Sequence, residues 1–555
     1  MSSTFDGLRI ARSGVQASRV NLKISGQNIT NSETEGYTRQ RVSQSALSPA
    51  EYGGFWASSG AVCGNGVSAD SVVQLRNSFL DEEYRTQAAT YGGSSEILST
   101  LNQMEDIFTS TTTAGSSSDS SVVNVLNNEF SNFVSQLESF TSGKATEGNV
   151  REEAKLLASN LNSAAKSLKT VREGEYSDLS KYNVNSANGL MKNIASLNQS
   201  IKTAEVAGEP VLELKDQRNL MLDQLSKYAG VHVTYTPEDA GAGQTVDNCS
   251  VTLADSDGNP LKPPITLIDG DKFAQFSVTR DGNDDESGKP SGEPFDITHL
   301  RLSGLSADGG KTFGPDSGMK SSDLQTGSFV GYLKLLNESG EYDTTAGGVT
   351  KTMHGIGFYS QLLDTIARNF AATLNGDNVT KDGTQRNLLG GYGSDGKTES
   401  FDAKDITAEN IHIASQWTDG WLVKSKDPGT DGKDNTDASY SNILKMLSDL
   451  KDTDLTLKTD AGVTVFQGTL QKAFAGVAAT LGEDANSLQV TDTTNAQRLS
   501  SIDGNRQSIS SVSLDDEAVS IVQYTQSLNA SSRFMTAVDE CLQTIISNMG
   551  MAGRG

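Results

Sequence analysis

The chain has 555 residues, 35% of them hydrophobic, and a formal charge of −25 at pH 7. That length exceeds a single hydrophobic core and predicts three or more domains. The polar composition, with no run of about 18 apolar residues, argues against a membrane protein, and the acidic balance argues against a nucleic-acid binder, since phosphate contacts need a basic face.

The first thirty residues carry apolar side chains every seventh position, at Met1, Leu8, Val15, Leu22 and Ile29, which predicts a helix. A second line, Ile10, Ala17 and Ile24, lies about 200° round that helix. A helix apolar on opposite sides needs several neighbours. Residues 31–75 read as irregular and extended, with glycines at 53, 54, 60, 64 and 66 and β-like pieces near Val62 and over Val67–Leu75. Helical spacing returns over Arg76–Tyr91, Ser95–Phe108, Val122–Phe140, Asn149–Ala207 and Leu212–Leu225, and the Ser/Thr/Gly-rich span 109–121 reads as a loop.

At Gly230 the pattern changes to short alternation: Val231, Val233, Tyr235; Val251, Leu253; Ile265, Leu267; Phe273, Phe276, Val278. Asp-Gly pairs at 257–258, 269–270 and 281–282 separate these pieces, as in an all-β module with tight turns. Helix resumes over Gly327–Asn337 and Phe358–Asn375. Residues 376–440 are turn-rich, with strand-like Ile411–Ile413 and Trp421–Val423. Helices follow at Tyr440–Leu450, Leu470–Leu481 and Asn486–Ile509.

The stretch Val512–Met549 has no proline and no internal glycine. Leu514, Ile521, Leu528, Met535, Leu542 and Met549 repeat every seventh residue, flanked by Tyr524, Val538 and Ile545. That spacing predicts a helix with a coiled-coil-like seam. Ser513 suits its N-cap, and Asp515, Asp516 and Glu517 suit its first turn. Its flanks are acidic, whereas Arg9, Arg12, Arg19 and Lys23 make the first helix basic, so charge can orient a pairing of the two.

The expected fold is multidomain α+β: terminal coiled-coil-like helices, a long helical bundle stalk and inserted all-β domains. The limits are a discontinuous terminal domain (1–45 and 510–555), a discontinuous bundle (46–228, 318–375 and 440–509), an inserted β domain (229–317) and a small β and turn-rich module (376–439).

No stretch carries recognisable catalytic chemistry. Gly391–Thr398 matches the phosphate-loop pattern G-x-x-x-x-G-K-[ST], but no buried strand precedes it and no helical face follows, so it reads as a polar turn. The acidic loops at Asp281–Glu286 and Asp427–Asp437 lack the calcium-loop ligand order. His232, His299, His354 and His412 are scattered. Cys63, Cys249 and Cys541 show no metal spacing and read as free thiols. No catalytic, cofactor or metal residue is assigned. Arg9, Arg12 and Arg19 break any apolar core of a Sec signal, so the protein is expected to be cytoplasmic or to leave the cell by another route.

Both ends resemble known sequences. Residues 25–42, Ser-Gly-Gln-Asn-Ile-Thr-Asn-Ser-Glu-Thr-Glu-Gly-Tyr-Thr-Arg-Gln-Arg-Val, resemble the N-terminal signature of bacterial flagellar rod, hook and hook-associated proteins. Asn28 to Asn31 and Gly36 to Arg39 carry it, with Glu35 where many members have proline. Residues 509–518 and 523–534, with Leu514-Asp-Asp-Glu517, resemble the C-terminal end of the hook-associated protein 1 (FlgK) family, with Ser511 and Ser513 replacing its glycine and asparagine. The ends cover about 100 residues; the middle matches only in layout.

The resemblance implies a structural adaptor, not an enzyme, at the hook–filament junction. It implies export through the flagellar type III channel, and assembly as a ring of copies between the hook protein and a second junction protein. A chaperone would hold the C-terminal helix in the cytoplasm; no nucleic acid, membrane or cofactor is implied. The candidate assembly residues are Leu8, Ile10, Val15, Leu22, Ile24, Ile29, Leu514, Ile521, Leu528, Met535, Val538, Leu542, Ile545 and Met549. The motif residues are Asn28, Asn31, Gly36, Tyr37, Arg39, Leu514, Asp515, Asp516 and Glu517. The rival readings are a hook or rod protein, which lacks the bundle at 76–228; a flagellin, against which Asn28–Arg39 argues; and a nucleotide-binding enzyme using 391–398.

Overall fold

Helix accounts for about 61% of the chain, and the strands form small antiparallel sheets. This computed structural model describes residues 6–47, 64–113, 120–241, 244–280, 296–306, 317–338, 354–393, 395–425, 439–458, 462 and 464–549. Met1, Val62, Cys63 and both acidic loops lie outside the described residues.

The first part of the chain forms α1 (Asp6–Thr30), β1 (Gln40–Ala46), β2 (Val67–Gln74), α2 (Ser78–Phe108), β3 (Thr109–Thr113) and β4 (Ser120–Asn124). Then come α3 (Val125–Thr141), α4 (Glu147–Ser177), a π-helical turn (Asp178–Asn183), α5 (Val184–Ala207) and α6 (Leu212–Ser226). The middle forms β5 (Val231–Gly241), β6 (Gln244–Leu253), β7 (Thr266–Asp269), β8 (Lys272–Phe273), β9 (Phe276–Arg280), β10 (Thr298–Leu302), α7 (Ser328–Asn337) and α8 (Ile356–Asp377). The last part forms β11 (Leu389–Tyr392), β12 (Glu399–Ser400), β13 (His412–Ile413), α9 (Ser441–Lys451), β14 (Asp454–Lys458), β15 (Thr464–Thr469), α10 (Leu470–Ser510) and α11 (Leu514–Met549).

Caps fix several helix starts: Asn77, Asn124, Thr146 and Thr469 each accept a first-turn amide through the side chain. Gly208, at φ +74°, ends α5 in the left-handed conformation that costs glycine little.

Four local expectations change. The break expected near Gly92 and Gly93 does not occur; α2 runs through both. A side chain there would meet backbone, at 2.5 Å from the Lys227 carbonyl for Gly92 and 3.0 Å from the Gly327 carbonyl for Gly93. These glycines serve close packing and do not punctuate the helix. The expected loop at 109–121 includes the paired strands β3 and β4. The two helices expected between 470 and 509 are one 41-residue helix, preceded by a β14–β15 hairpin that the sequence reading missed. Trp421–Val423 is not a strand, although Leu422 and Val423 are buried.

Two hydrophobic cores organise the middle. One gathers α2, α3, α4, α8, α9, α10 and the β11–β13 region. At its centre Phe130 stacks on Phe474 at 4.6 Å, and Phe370 meets Phe133 edge-on at 5.3 Å. Each buried phenylalanine contributes about 2–3 kcal/mol from burial. The other packs α5, α6 and α7 against the sheet β5-β6-β7-β8 and the β9–β10 pair, with Leu267, Ile268, Leu300 and Phe329 fully buried. The continuous rod α4–π turn–α5 belongs to both cores and ties them together.

The chain ends lie outside these cores. Helix α1 packs antiparallel to α11, and the β1–β2 hairpin covers another side of α1, where Ser13 Oγ accepts the Val67 amide at 3.2 Å. So α1 has two neighbours, α11 and the hairpin, both on the side of Ile10, Ala17 and Ile24.

Candidate assembly site at the joined chain ends

The N-terminal motif forms a compact polar knot because its residues end a helix, turn and start a strand within twelve positions. Asn28, 1% exposed near the end of α1, makes four hydrogen bonds. Its amide nitrogen donates to the Gln40 carbonyl at 3.0 Å and to Glu517 Oε1 at 3.2 Å. Its Oδ1 accepts from the Gln40 amide at 3.0 Å and from the Tyr37 hydroxyl at 2.9 Å. A buried amide with every group satisfied fixes one geometry. Asn31 closes the helix end, donating to the Gln27 carbonyl and accepting from Thr34. Gly36 turns the chain at φ +79°, and a Cβ there would lie 3.2 Å from Leu220, so both its conformation and its space call for glycine.

From that turn the backbone reaches both ends of the molecule. Arg39 donates its amide to the Ser510 carbonyl at 2.8 Å and its Nε to Glu517 Oε1 at 2.8 Å; Asp516 is 3.8 Å from its guanidinium. Glu517 is thus the one buried acid of the Leu514-Asp-Asp-Glu517 motif. Leu514 and Asp515 are exposed, and Ser513 Oγ accepts the Asp516 amide at the start of α11. The two sequence motifs, nearly 480 residues apart along the chain, form one site.

A second layer that the sequence reading missed locks this knot to the body. Thr38 donates its amide and hydroxyl to Asp216 of α6, at 3.1 and 2.6 Å. Arg76 holds Asp81 at 2.7 Å, and Asp223 receives Arg85 at 2.8 Å and Arg506 of α10 at 2.5 Å. Arg506 also lies over the Tyr84 ring at 3.9 Å. One signal was legible: Asp216, Asn219, Asp223 and Ser226 form a polar stripe at helical spacing on α6, and all four are buried.

Burial, then the Glu213, Asp216 and Glu517 charges, push the Tyr37 hydroxyl up to about 12, which keeps it a donor to Asn28. Burial also raises Asp216, against the Thr38 hydrogen bonds and Arg76. For Arg85 and Arg506, burial works against the charge, but Asp223 and the neighbouring groups together outweigh it.

The two terminal helices meet in a regular antiparallel register. Gly7 faces Val538, Gly14 faces Ser531 and Asn28 faces Glu517. A Cβ on Gly14 would lie 2.7 Å from Ser531 Oγ, so the backbones approach more closely than leucine packing permits. Within one chain the pairing therefore uses a different side of α1 from the heptad line. The residues buried along α1 are Ala11, Ala17, Ser18, Asn21, Ile24, Ser25 and Asn28, and the heptad line Leu8, Val15, Leu22 and Ile29 is only half-buried, as is Ile10. On α11 the covered line is Ile521, Tyr524, Leu528, Ser531, Met535, Val538 and Leu542, all half-buried. Val519, Val522, Phe534, Ile545 and Ile546 are exposed by 43 to 71%; the Met549 side chain lies outside the described residues. Pairing within one chain therefore leaves a second apolar face on α11.

The remaining motif candidates separate from this site. Gly391–Thr398 leads from β11 through a turn to β12, so a strand and not an α-helix follows it. Asp395 Oδ1 accepts the Lys397 and Thr398 amides at 3.0 and 2.8 Å, and with the Thr398 hydroxyl these bonds hold its carboxyl down at about 2. A carboxylate thus occupies the amides that a phosphate would need. His354 pairs with Asp484 at 2.7 Å and stacks on Phe358; His232 pairs with Glu82 at 2.8 Å; His412 lies 3.4 Å from Glu399. Among the described residues no three His, Cys, Asp or Glu side chains gather to hold a metal ion, and no helix is long and apolar enough to cross a membrane.

Comparison with known proteins matches the same ends and middle. Residues 101–390 match the helical domain of flagellar hook-associated protein FlgK. The chain is 28% identical to flagellar hook-associated protein 1 of Bacillus subtilis, covering all of both chains. It is 22% identical to that of Salmonella typhimurium, over 97% of this chain and 98% of the relative. The flagellar hook junction protein FlgK of Burkholderia pseudomallei shares the fold: TM-score 0.52 at 14% identity, over 78% of this chain and all of that one. With that family model matched over more than half of this chain and relatives aligned end to end, the chain belongs to the flagellar hook-associated protein FlgK family.

Proposed function

We propose that the protein is a structural adaptor at the hook–filament junction of the bacterial flagellum, exported by the flagellar type III system and assembled as a ring of copies through its terminal helices. It sits between hook protein and a second junction protein, and an export chaperone holds α11 beforehand. Family membership supports the setting. The observation that carries the assembly reading is the apolar face left on α11 after it has paired with α1. Val519, Val522 and Phe534 remain exposed on the side of α11 turned away from α1. An exposed apolar stripe of this kind marks a contact surface.

Charge supports the occupant. Arg9, Arg12, Arg19 and Lys23 are exposed on α1, whereas Asp515, Asp516, Asp539 and Glu540 are exposed on α11. A basic helix of one copy therefore complements the acidic helix of the next. The half-buried Leu8, Val15, Leu22 and Ile29 supply the apolar side of that contact.

The test is complementation of a strain lacking the gene. The null strain should make hooks without filaments and release filament protein into the medium. A Val522→Glu, Phe534→Glu double variant should be secreted and folded but leave the null phenotype. Full filaments and motility with that variant would remove the assembly role of this face.

A further inference from the structure

A second site lies where the β5–β6 sheet meets α2 and α6, and it shares Arg76 and Arg85 with the layer that locks the terminal knot. A cavity of about 490 Å³ opens there, lined by Arg76, Arg85, Lys215, Arg218 and Tyr235. Three of these four cations are already matched. Arg76 holds Asp81 at 2.7 Å, Arg85 holds Asp223 at 2.8 Å, and Lys215 holds Glu205 at 2.7 Å.

Arg218 is not matched. It is 3% exposed, yet no carboxylate lies within ion-pair distance of it among the described residues. Its Nη1 donates to the neutral Asn198 Oδ1 at 3.0 Å, and the guanidinium lies 5.0 Å from the centre of the Tyr235 ring. Its Nε has no hydrogen-bond partner. A buried guanidinium with a free donor and no counter-charge is unfavourable by itself, and the protein keeps it beside a cavity. Burial raises both the Tyr235 hydroxyl and the Cys249 thiol, while Arg218 and Arg85 pull both back down. The acids at the cavity do not answer Arg218: Asp81 is taken by Arg76, Glu82 pairs with His232, and Asp247 is exposed.

We propose that this cavity binds a small molecule bearing a carboxylate or phosphate group, whose oxygens meet the Arg218 guanidinium beside the Tyr235 ring. A guanidinium fork binds both groups alike, and the cavity has room for several heavy atoms beyond the anionic group. The ligand would then bridge α6 and the β sheet at the point where the sheet joins the helical body.

The test uses the full chain in chloride buffer at constant ionic strength, titrated separately with inorganic phosphate and with citrate, by calorimetry and by thermal melting. Saturable binding and a raised melting temperature are expected with at least one of them, and which one identifies the anion class. Arg218→Met should weaken that binding about tenfold or more, as expected for one charge-assisted contact. In chloride alone Arg218→Met should melt higher than the wild type, because it removes an unmatched buried charge; a purely structural arginine gives the opposite sign. Arg218→Lys, which keeps the charge but not the fork, checks the fold and should bind weakly. Absence of saturable binding by either anion overturns the proposal, as does equal stabilisation of the wild type and Arg218→Met.

Discussion

Glu175→Gln should stabilise the protein above neutral pH and do little in acid. Glu175 stands at the end of α4, beside the π turn and on the boundary of the two cores. It is 5% exposed, and its Oε2 has no hydrogen-bond partner. Thr100 gives it one hydrogen bond, but Glu96 and Asp178 bring like charge. Tyr332, which accepts from Asn183 at the end of the π turn, hydrogen-bonds Glu96 and is raised by burial and by these acids. Burial first, then the neighbouring carboxylates, move Glu175 from 4.5 to about 7. A carboxyl raised in this way holds its proton better folded than unfolded. Stability is therefore fully present below 4.5 and lost as pH rises towards 7. The loss amounts to about 3 kcal/mol at about pH 8, about 1 at about pH 5 and almost none by about pH 4, at about 1.4 kcal/mol per tenfold change in proton affinity. So little exposure leaves little solvent screening to discount. The glutamine variant should gain that amount over the wild type at each pH. Hydrogen exchange of the α4 amides near Glu175, compared at about pH 5 and pH 8 after correction for intrinsic rates, measures it locally. A gap that does not widen with pH, or a variant less stable in base, would refute the reasoning.

Three further outcomes concern the chain ends. Gly14→Leu should separate α1 from α11, because even a Cβ meets Ser531 Oγ at 2.7 Å; hydrogen exchange in both helices should rise. Gly26→Ala, with nothing within 4 Å, should instead stabilise α1 by about 0.5–1 kcal/mol. Glu517→Ala should cost about 2 kcal/mol by stripping Arg39 and Asn28 of their acceptor; Arg39 is 25% exposed and regains some water. Limited proteolysis at the 510–513 junction should then accelerate, while the two central cores resist as before.

Much of the element content was legible because its signals are local. The unbroken heptad from Leu514, the cap at Ser513 and the alternation after Gly230 each depend on a few neighbouring residues, and α11 and β5–β6 lie where those signals place them. Half of the candidate site was legible for the same reason: asparagines ending a helix and a glycine at a turn imply a bend into an extended arm, and Gly36 makes it. Its other half was not. That Glu517 answers Arg39, that Asp216 holds Thr38 and that Asp223 collects two arginines are matters of approach between segments hundreds of residues apart.

The α1 seam shows the division most clearly. Sequence by itself determined that both ends are amphipathic helices of opposite charge, since periodicity and charge are properties of the chain. Tertiary structure alone decided which side of α1 meets α11. Hydrophobicity ranks Leu8, Val15 and Leu22 as the face to bury, but interhelical distance is set by the smallest residues at the crossing, and Gly7 and Gly14 let the backbones come closest. The larger apolar side chains are thereby turned partly towards solvent.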